Sequence, residues 1–460
     1  MRLRRAVRLG LVAASIVAGG AAASTAAAPP LITTVAGNGV AGRTGDGGPA
    51  VAAEINHPRG IAVLPSGGFL FAEPYNNTVR RVAPDGTIST VAGTGVAGFG
   101  GDGGPATRAA LNFVHGVAVM PDGGFVVDDF FNNRIRRVSP DGTITTVVGD
   151  GRQRFAGDGG PAAEASIALP RGIASLPDGE LLIADSSNQR IRLVRRDGTI
   201  VTVAGTGVAG SSGDGGPATA AELDLPFSVS PLPGGGFLVA EERGNRIRRV
   251  GPDGIITTVA GNGVAGFSGD GGPATAASID AAHAVAALPD GGFLIADEGN
   301  NRVRRVLPSG TILTVAGTGE AGFGGDGGPA AQASLDAPKA LAVTRDERGF
   351  LVGDALNHRV RLVALDLRPP LVLRLAAQSL RARAGRPVAV ALTVSRPARV
   401  ELVVRRHRTV AARVARQAGA GRTILVVRRG LTPGTYALRV VAQAADGRTA
   451  SRRGTLRVTR

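Results

Sequence analysis

Three sets of side chains in this 460-residue sequence have the types and spacing to do chemistry, and each has six members. The first is the aspartate of a recurring G-D-G-G-P-A string: Asp46, Asp102, Asp158, Asp214, Asp270 and Asp326, always 56 residues apart. Carboxylates on Gly-rich loops can ligate calcium, but no second carboxylate sits at ligand spacing inside this loop. The alternative is that each Asp accepts backbone N–H groups of its own tight glycine loop and sets up the turn before Pro. The second set is Glu73, Asp129, Asp185, Glu241, Asp297 and Asp354, each closing a short apolar run. These acids could serve general acid–base chemistry. The alternative is pairing with Arg80, Arg136, Arg192, Arg248, Arg304 and Arg361, which recur with them. One ligand sees an asymmetric surface, so sixfold identity favours architecture for both sets.

The third set varies, and therefore carries the functional expectation. Arg59, His115, Arg171, Phe227, His283 and Lys339 each precede a recurring small residue. Cations and imidazoles converging on one point would attract an anion or hold a metal, unless nearby acids pair with them. His115 and His283 are three repeats apart, so they face one another and do not make the three-ligand set of a catalytic zinc site. A second variable position follows the repeated acid: Pro74-Tyr75, Phe130-Phe131, Ser186-Ser187, Glu242-Arg243, Glu298-Gly299 and Ala355-Leu356. The sequence has only 14 Phe and two Tyr, so Tyr75, Phe130 and Phe131 in adjacent repeats stand out, with Phe113 and Asp128 close by. Exposed aromatic clusters bind protein, peptide or sugar. The expected ligand-binding set is thus Arg59, Tyr75, His115, Phe130, Phe131, Arg171, Phe227, His283 and Lys339. No catalytic residue, metal ligand or cofactor is assigned. The absence of Cys removes thiol nucleophiles, disulfides and Cys-based metal sites. Gly93-Thr94-Gly95-Val96-Ala97-Gly98 follows the dinucleotide fingerprint, but no helix opens in it and no βαβ unit surrounds it.

These side chains need elements to hold them, and the repeat supplies them. Each copy has four short β-branched runs bounded by Gly, Pro and Asn turns; in the first copy they begin at Gly60, Phe69, Thr78 and Thr87. After G-D-G-G-P-A an Ala-rich stretch suggests a helical turn with Pro105 at its first position. Four strands per repeat and six repeats give an all-β, six-bladed β-propeller. The chain enters at Leu31–Val35 as a fourth strand lacking its first three, and the last copy stops after its third strand near Val363. The N-terminal strand should therefore close the last blade. In this strand order the variable ring lies at one mouth of the central channel.

The phrase Gly-Ile-Ala-Val at 60–63, with Phe-Leu-Ile-Ala-Asp and Asn-Asn-Arg-Val-Arg-Arg-Val across 293–306, resembles the NHL repeat. The added G-D-G-G-P-A loop resembles the NHL blocks of bacterial secreted and teneurin-like proteins. That resemblance covers about 335 residues and implies a binding platform without naming a ligand. It also supplies the competing class, since some related propellers are lyases or lactonases using a channel metal.

Charge divides the chain. The formal net charge of +16 sums +4 on residues 1–28, −6 on 31–365 and +18 on 366–460. Residues 1–28 read as a secretory signal: a basic start, an apolar run of small residues, and an A-x-A site. The alternative is an uncleaved anchor. A count of 51 Arg to one Lys suggests a GC-rich bacterial genome. A linker is expected at 366–370 and a small, basic, immunoglobulin-like β-sandwich of about seven strands at 371–460. Its charge suits an anionic cell-envelope polymer. Nucleic acid is disfavoured by export and by a single aromatic for stacking, Tyr436. The sequence therefore points to a secreted or extracytoplasmic monomer, a non-enzymatic scaffold with a protein, peptide or glycan ligand on the propeller face.

Overall fold

The computed structural model describes residues 29–368, 371–384, 386–427, 431–445 and 448–460. The expected signal at 1–28, Pro369-Pro370 of the expected linker and the turn at Asp446-Gly447 lie outside them. Within them, six four-stranded antiparallel sheets follow one another along the chain. Blade one holds Ile61–Val63, Phe69–Glu73, Thr78–Val82 and Ile88–Ala92. Blades two to five repeat the pattern, and blade six uses Pro338–Val343, Phe350–Asp354 and Arg359–Ala364.

The second strand of every blade is buried along its whole length, because neighbouring blades cover both of its faces. This is why those runs read as continuous apolar stretches rather than as an alternation. Apolar layers fill the gaps between blades. Leu70, Ala72 and Val79 of blade one pack with Val117, Phe125 and Val127 of blade two. At the seam, Phe69 and Phe71 meet Leu351 and Val360 of blade six.

Closure follows the expected route. Leu31–Ala36 pairs antiparallel with Arg359–Ala364, Leu31 facing Ala364 and Ile32 facing Val363. Ile32 is buried against Phe350, Val352 and Val363. A second device repeats at each junction. Asn77, in the left-handed region at φ 51°, accepts the Phe113 N–H of the next blade at 2.8 Å. Asn133, Gln189, Asn245 and Asn301 do the same. At the seam His358 Nδ1 accepts the His57 N–H at 3.4 Å.

One local expectation needs correction. Pro105 stands just before the short 3-10 turn Ala106–Arg108, not at its first position. The first position must keep its N–H, because Ala106 donates to Gly142 O at 2.8 Å.

The C-terminal region forms two further sheets. Leu373–Leu375, Val388–Val394 and Gly421–Val427 make one. Ser379–Arg383, Thr449–Thr459, Gly434–Gln443, Ala398–Arg406 and Thr409–Ala418 make the other, in that order. Val390 and Leu392 of the first share a core with Leu402, Tyr436, Val440 and Leu456 of the second. These are eight strands against the expected seven or so; the Arg-rich Ser379–Arg383 hides among polar surface in the sequence. Tyr436 Oη donates to Thr432 O at 2.8 Å, so this buried ring keeps its hydroxyl satisfied.

Candidate functional site

The two repeated acid sets and the repeated arginines form one unit. In blade two, Arg136 donates Nε and Nη2 to Asp102 Oδ1 at 2.9 and 2.6 Å, and Nη1 to Asp129 Oδ2 at 3.2 Å. All six such arginines are fully buried, and each has a carboxylate from both sets within 4.0 Å. The pairing expected for the second set holds. The expectation for the G-D-G-G-P-A aspartate is corrected in its partners. Its backbone N–H bond comes from the fourth strand rather than its own glycine loop, as from Thr202 to Asp158 and from Thr258 to Asp214. Its other oxygen takes the arginine. In blade six the donor is Thr34 of the N-terminal strand, so this unit also fastens the closure. Phe99, Phe155, Phe267 and Phe323 lie over four of these guanidiniums, Phe155 at 4.8 Å from Arg192 Cζ. The sequence reading missed these rings, although Phe99, Phe267 and Phe323 share a G-x-A-G-F signal.

Two carboxylates to one buried guanidinium leave a negative excess. Burial pushes Glu73 and Glu241 up to about 7, and Asp297 and Asp354 up to about 6. A proton on the inner acid leaves a neutral Arg–Asp pair.

The variable ring is assembled differently. Arg59, His115, Arg171, Phe227, His283 and Lys339 all line one cavity of about 100 Å³ at the channel mouth. The small residue after each is set by close packing around the channel. A Cβ on Gly60 would lie 2.5 Å from His115 O, and one on Gly172 2.6 Å from Phe227 O. Lys339 pairs with Glu298, and His283 Nε2 stands 3.9 Å from the other oxygen of that carboxylate. Among the described residues, Arg59 and Arg171 have no carboxylate within 4.0 Å. They rest on rings instead: Arg59 over Phe113 at 5.4 Å, Arg171 over Phe227 at 4.8 Å and Phe130 at 5.2 Å. Arg59 Nε and Arg171 Nε and Nη1 are buried without a hydrogen-bond partner. His115 and His283 are buried, and desolvation holds both well below the usual imidazole range. They do not face each other across open space: Phe227 lies between, 5.8 Å from His115 and 3.9 Å from His283.

Asp128 is the buried surprise. The equivalent residues of the other blades are Ala72, Ala184, Ala240, Ala296 and Gly353. Its carboxylate accepts the N–H groups of His115 and Gly116 at 2.5 and 2.6 Å, and burial pushes it well above the usual range.

The expected aromatic set is brought together but splits in exposure. Tyr75 and Phe131 are each 52% exposed, whereas Phe130 is 4% exposed. Phe130 turns inward, 4.6 Å from the His115 ring, so its expected surface role is corrected. Phe113 joins the two exposed rings, 5.1 Å from each. With His57 and His358 at one end and Phe227 and His283 at the other, the rings form an arc around the mouth.

The opposite mouth opens into a wider groove of about 1420 Å³, lined by Leu176, Leu232, Leu288, Val343 and the prolines beside them. Sequence reading missed it; the recurring Leu-Pro at 176–177, 232–233 and 288–289 was its signal. Its walls are mostly apolar, with Asp178, Arg195, Arg345 and Glu347 among them. Among the described residues no group of three or more His, Asp or Glu is arranged to hold a metal ion. None forms a helix long and apolar enough to cross a membrane.

A family model described as NHL repeat matches residues 168–192, which cover the first two strands of blade three and enter its third. Teneurin-m of Drosophila melanogaster is 29% identical over 354 residues, covering 69% of this chain and 12% of the relative. Teneurin-1 of Mus musculus is 29% identical over 232 residues, covering 45% and 8%. The chain thus spans no more than about an eighth of these curated relatives. Two solved structures from Bacteroides thetaiotaomicron share the fold. A protein of unknown function superimposes with a TM-score of 0.55 at 15% identity, covering 73% of this chain and 76% of that one. An auxiliary nutrient binding protein gives 0.53 at 16% identity, covering 73% and 76%.

Proposed function

We propose that this NHL-repeat propeller is a binding platform that holds a partner at the channel mouth bearing the aromatic arc. The observation that carries the reading is the juxtaposition of half-exposed Tyr75 and Phe131 with two guanidiniums that, among the described residues, have no carboxylate within 4.0 Å. Exposed rings beside desolvated arginines are the composition of binding hot spots. The alternative, a metal-dependent lyase or lactonase at the channel, finds less support. The two imidazoles nearest the channel are separated by Phe227, and among the described residues only the His283 ring has a carboxylate within 4.0 Å.

The partner is a protein, peptide or glycan met outside the cytoplasm. The basic C-terminal region adds attachment to an anionic envelope polymer. Arg381 pairs across strands with Arg457, and Arg453 with Arg439. All four side chains are exposed. The test uses the full chain and a Tyr75→Ser/Phe131→Ser variant as bait in envelope extract. The reading requires loss of the captured partner with an unchanged melting temperature. Equal capture by both baits overturns it.

A further inference from the structure

The mouth cavity sets the chemistry of what it takes. Lys339 and Glu298 neutralise one another. That leaves Arg59 and Arg171 against Glu242, whose carboxyl desolvation raises and Arg171 stabilises. Asp128 and Arg243 nearby add at most one charge of each sign, so the guanidiniums leave the mouth cationic, which suits an anionic group. At about 100 Å³ the cavity admits a carboxylate-sized group and not a sugar chain. Arg59 and Arg171 line this cavity, and among the described residues no carboxylate stands within 4.0 Å of either, so the lining favours a ligand that brings anionic oxygen atoms.

The rings beside the cavity set the rest. Tyr75, Phe113 and Phe131 form a shelf, and two of the side-chain amides beside it are already bonded. Asn132 Nδ2 is bound to Gly98 O and Asp129, and Asn133 Oδ1 takes the Leu169 N–H. A sugar needs free donors and acceptors around a stacking ring, and this shelf offers an apolar surface instead. We propose that the mouth binds the free C-terminal carboxylate of a peptide segment, Arg59 and Arg171 receiving the carboxylate and the Tyr75–Phe113–Phe131 shelf receiving an apolar last side chain. The proposal rests on the platform reading and narrows it to one partner chemistry.

The full chain is immobilised and offered two pools of random N-acetylated hexapeptides, one ending in the free acid and one in the amide. The expected result is retention of the acid pool at least ten-fold over the amide pool, with apolar final residues enriched. Arg59→Gln/Arg171→Gln lowers that retention at least ten-fold. Equal retention of the pools, retention of neither, or stronger retention of uronate oligosaccharides than of peptides overturns the proposal. If Tyr75→Ser/Phe131→Ser abolishes retention of both pools while acid and amide bind alike, the carboxylate assignment fails and the platform stands. The acid–amide comparison is made on the unmodified chain, so it does not depend on any variant folding.

Discussion

The molecule holds arginine in two ways. Arg80, Arg136, Arg192, Arg248, Arg304 and Arg361 are repeated, fully buried and each set between two carboxylates. Arg59 and Arg171 occupy a ring where no two neighbouring positions match, and they lie on aromatic faces with donors to spare. The first arrangement is mechanical: each guanidinium ties two loops and a strand of one blade together. The second has no carboxylate partner among the described residues and rests on rings, with Arg59 Nη1 3.2 Å from His115 Nε2. In a ring of equivalent blades, departure from the repeat marks a site better than residue type does, since the same side chain serves both ends.

The largest expected effect comes from breaking the mechanical set. Arg192→Met leaves Asp158 and Asp185 without their shared cation and should cost about 3–5 kcal/mol, read as a lower denaturant midpoint. The matching change at the mouth, Arg171→Met, should move that midpoint far less. Equal losses would erase the distinction. Phe130→Ala comes next, at about 3 kcal/mol, since that ring is buried under the mouth.

A pH series separates the two sets more gently. Glu73 and Glu241 are pushed up to about 7, and Asp297 and Asp354 to about 6, so their folded pKa values exceed the unfolded ones. Their contribution is full below the ordinary carboxylate range and fades as pH rises through 6 to 7. Asp214 and Asp326 are held below their usual value by the hydroxyls of Thr258 and Thr34, with the N–H groups of the same residues and arginine adding to it, so their contribution fades as pH falls. Thermal midpoints should therefore peak at about pH 5 and decline toward about pH 8. A flat profile would mean that the inner acids stay ionised throughout. The smallest effect belongs to Tyr75→Ser/Phe131→Ser, within about 0.5 kcal/mol of the parent in the same denaturation.

Much of this was legible because repetition averages out local ambiguity. Six copies made the strands, the blade count and the Arg–acid pairing readable, and the odd phase of Leu31–Val35 disclosed the closure. Partners that join distant loops were harder. The bond from Thr258 to Asp214 spans 44 residues, and no local pattern encodes it. Exposure was also hidden: Phe130 and Phe131 are adjacent and chemically identical, yet one φ/ψ step in the 3-10 turn Phe130–Asn132 sends one ring inward and the other to solvent. Asp128 could be seen as the odd member of its column, but not its two N–H partners.

The closing strand has a consequence for how the ring is made and remade. Within the propeller, Leu31–Ala36 pairs with Arg359–Ala364, so this strand waits for its partner until the other five blades have been produced. Five blades can form from contiguous sequence, whereas the sixth joins strands from the two ends of the propeller segment. By the same geometry the seam is only one cut among six equivalent ones. A chain joined there and opened between two other blades would keep every interface, trading one joint for another of the same kind.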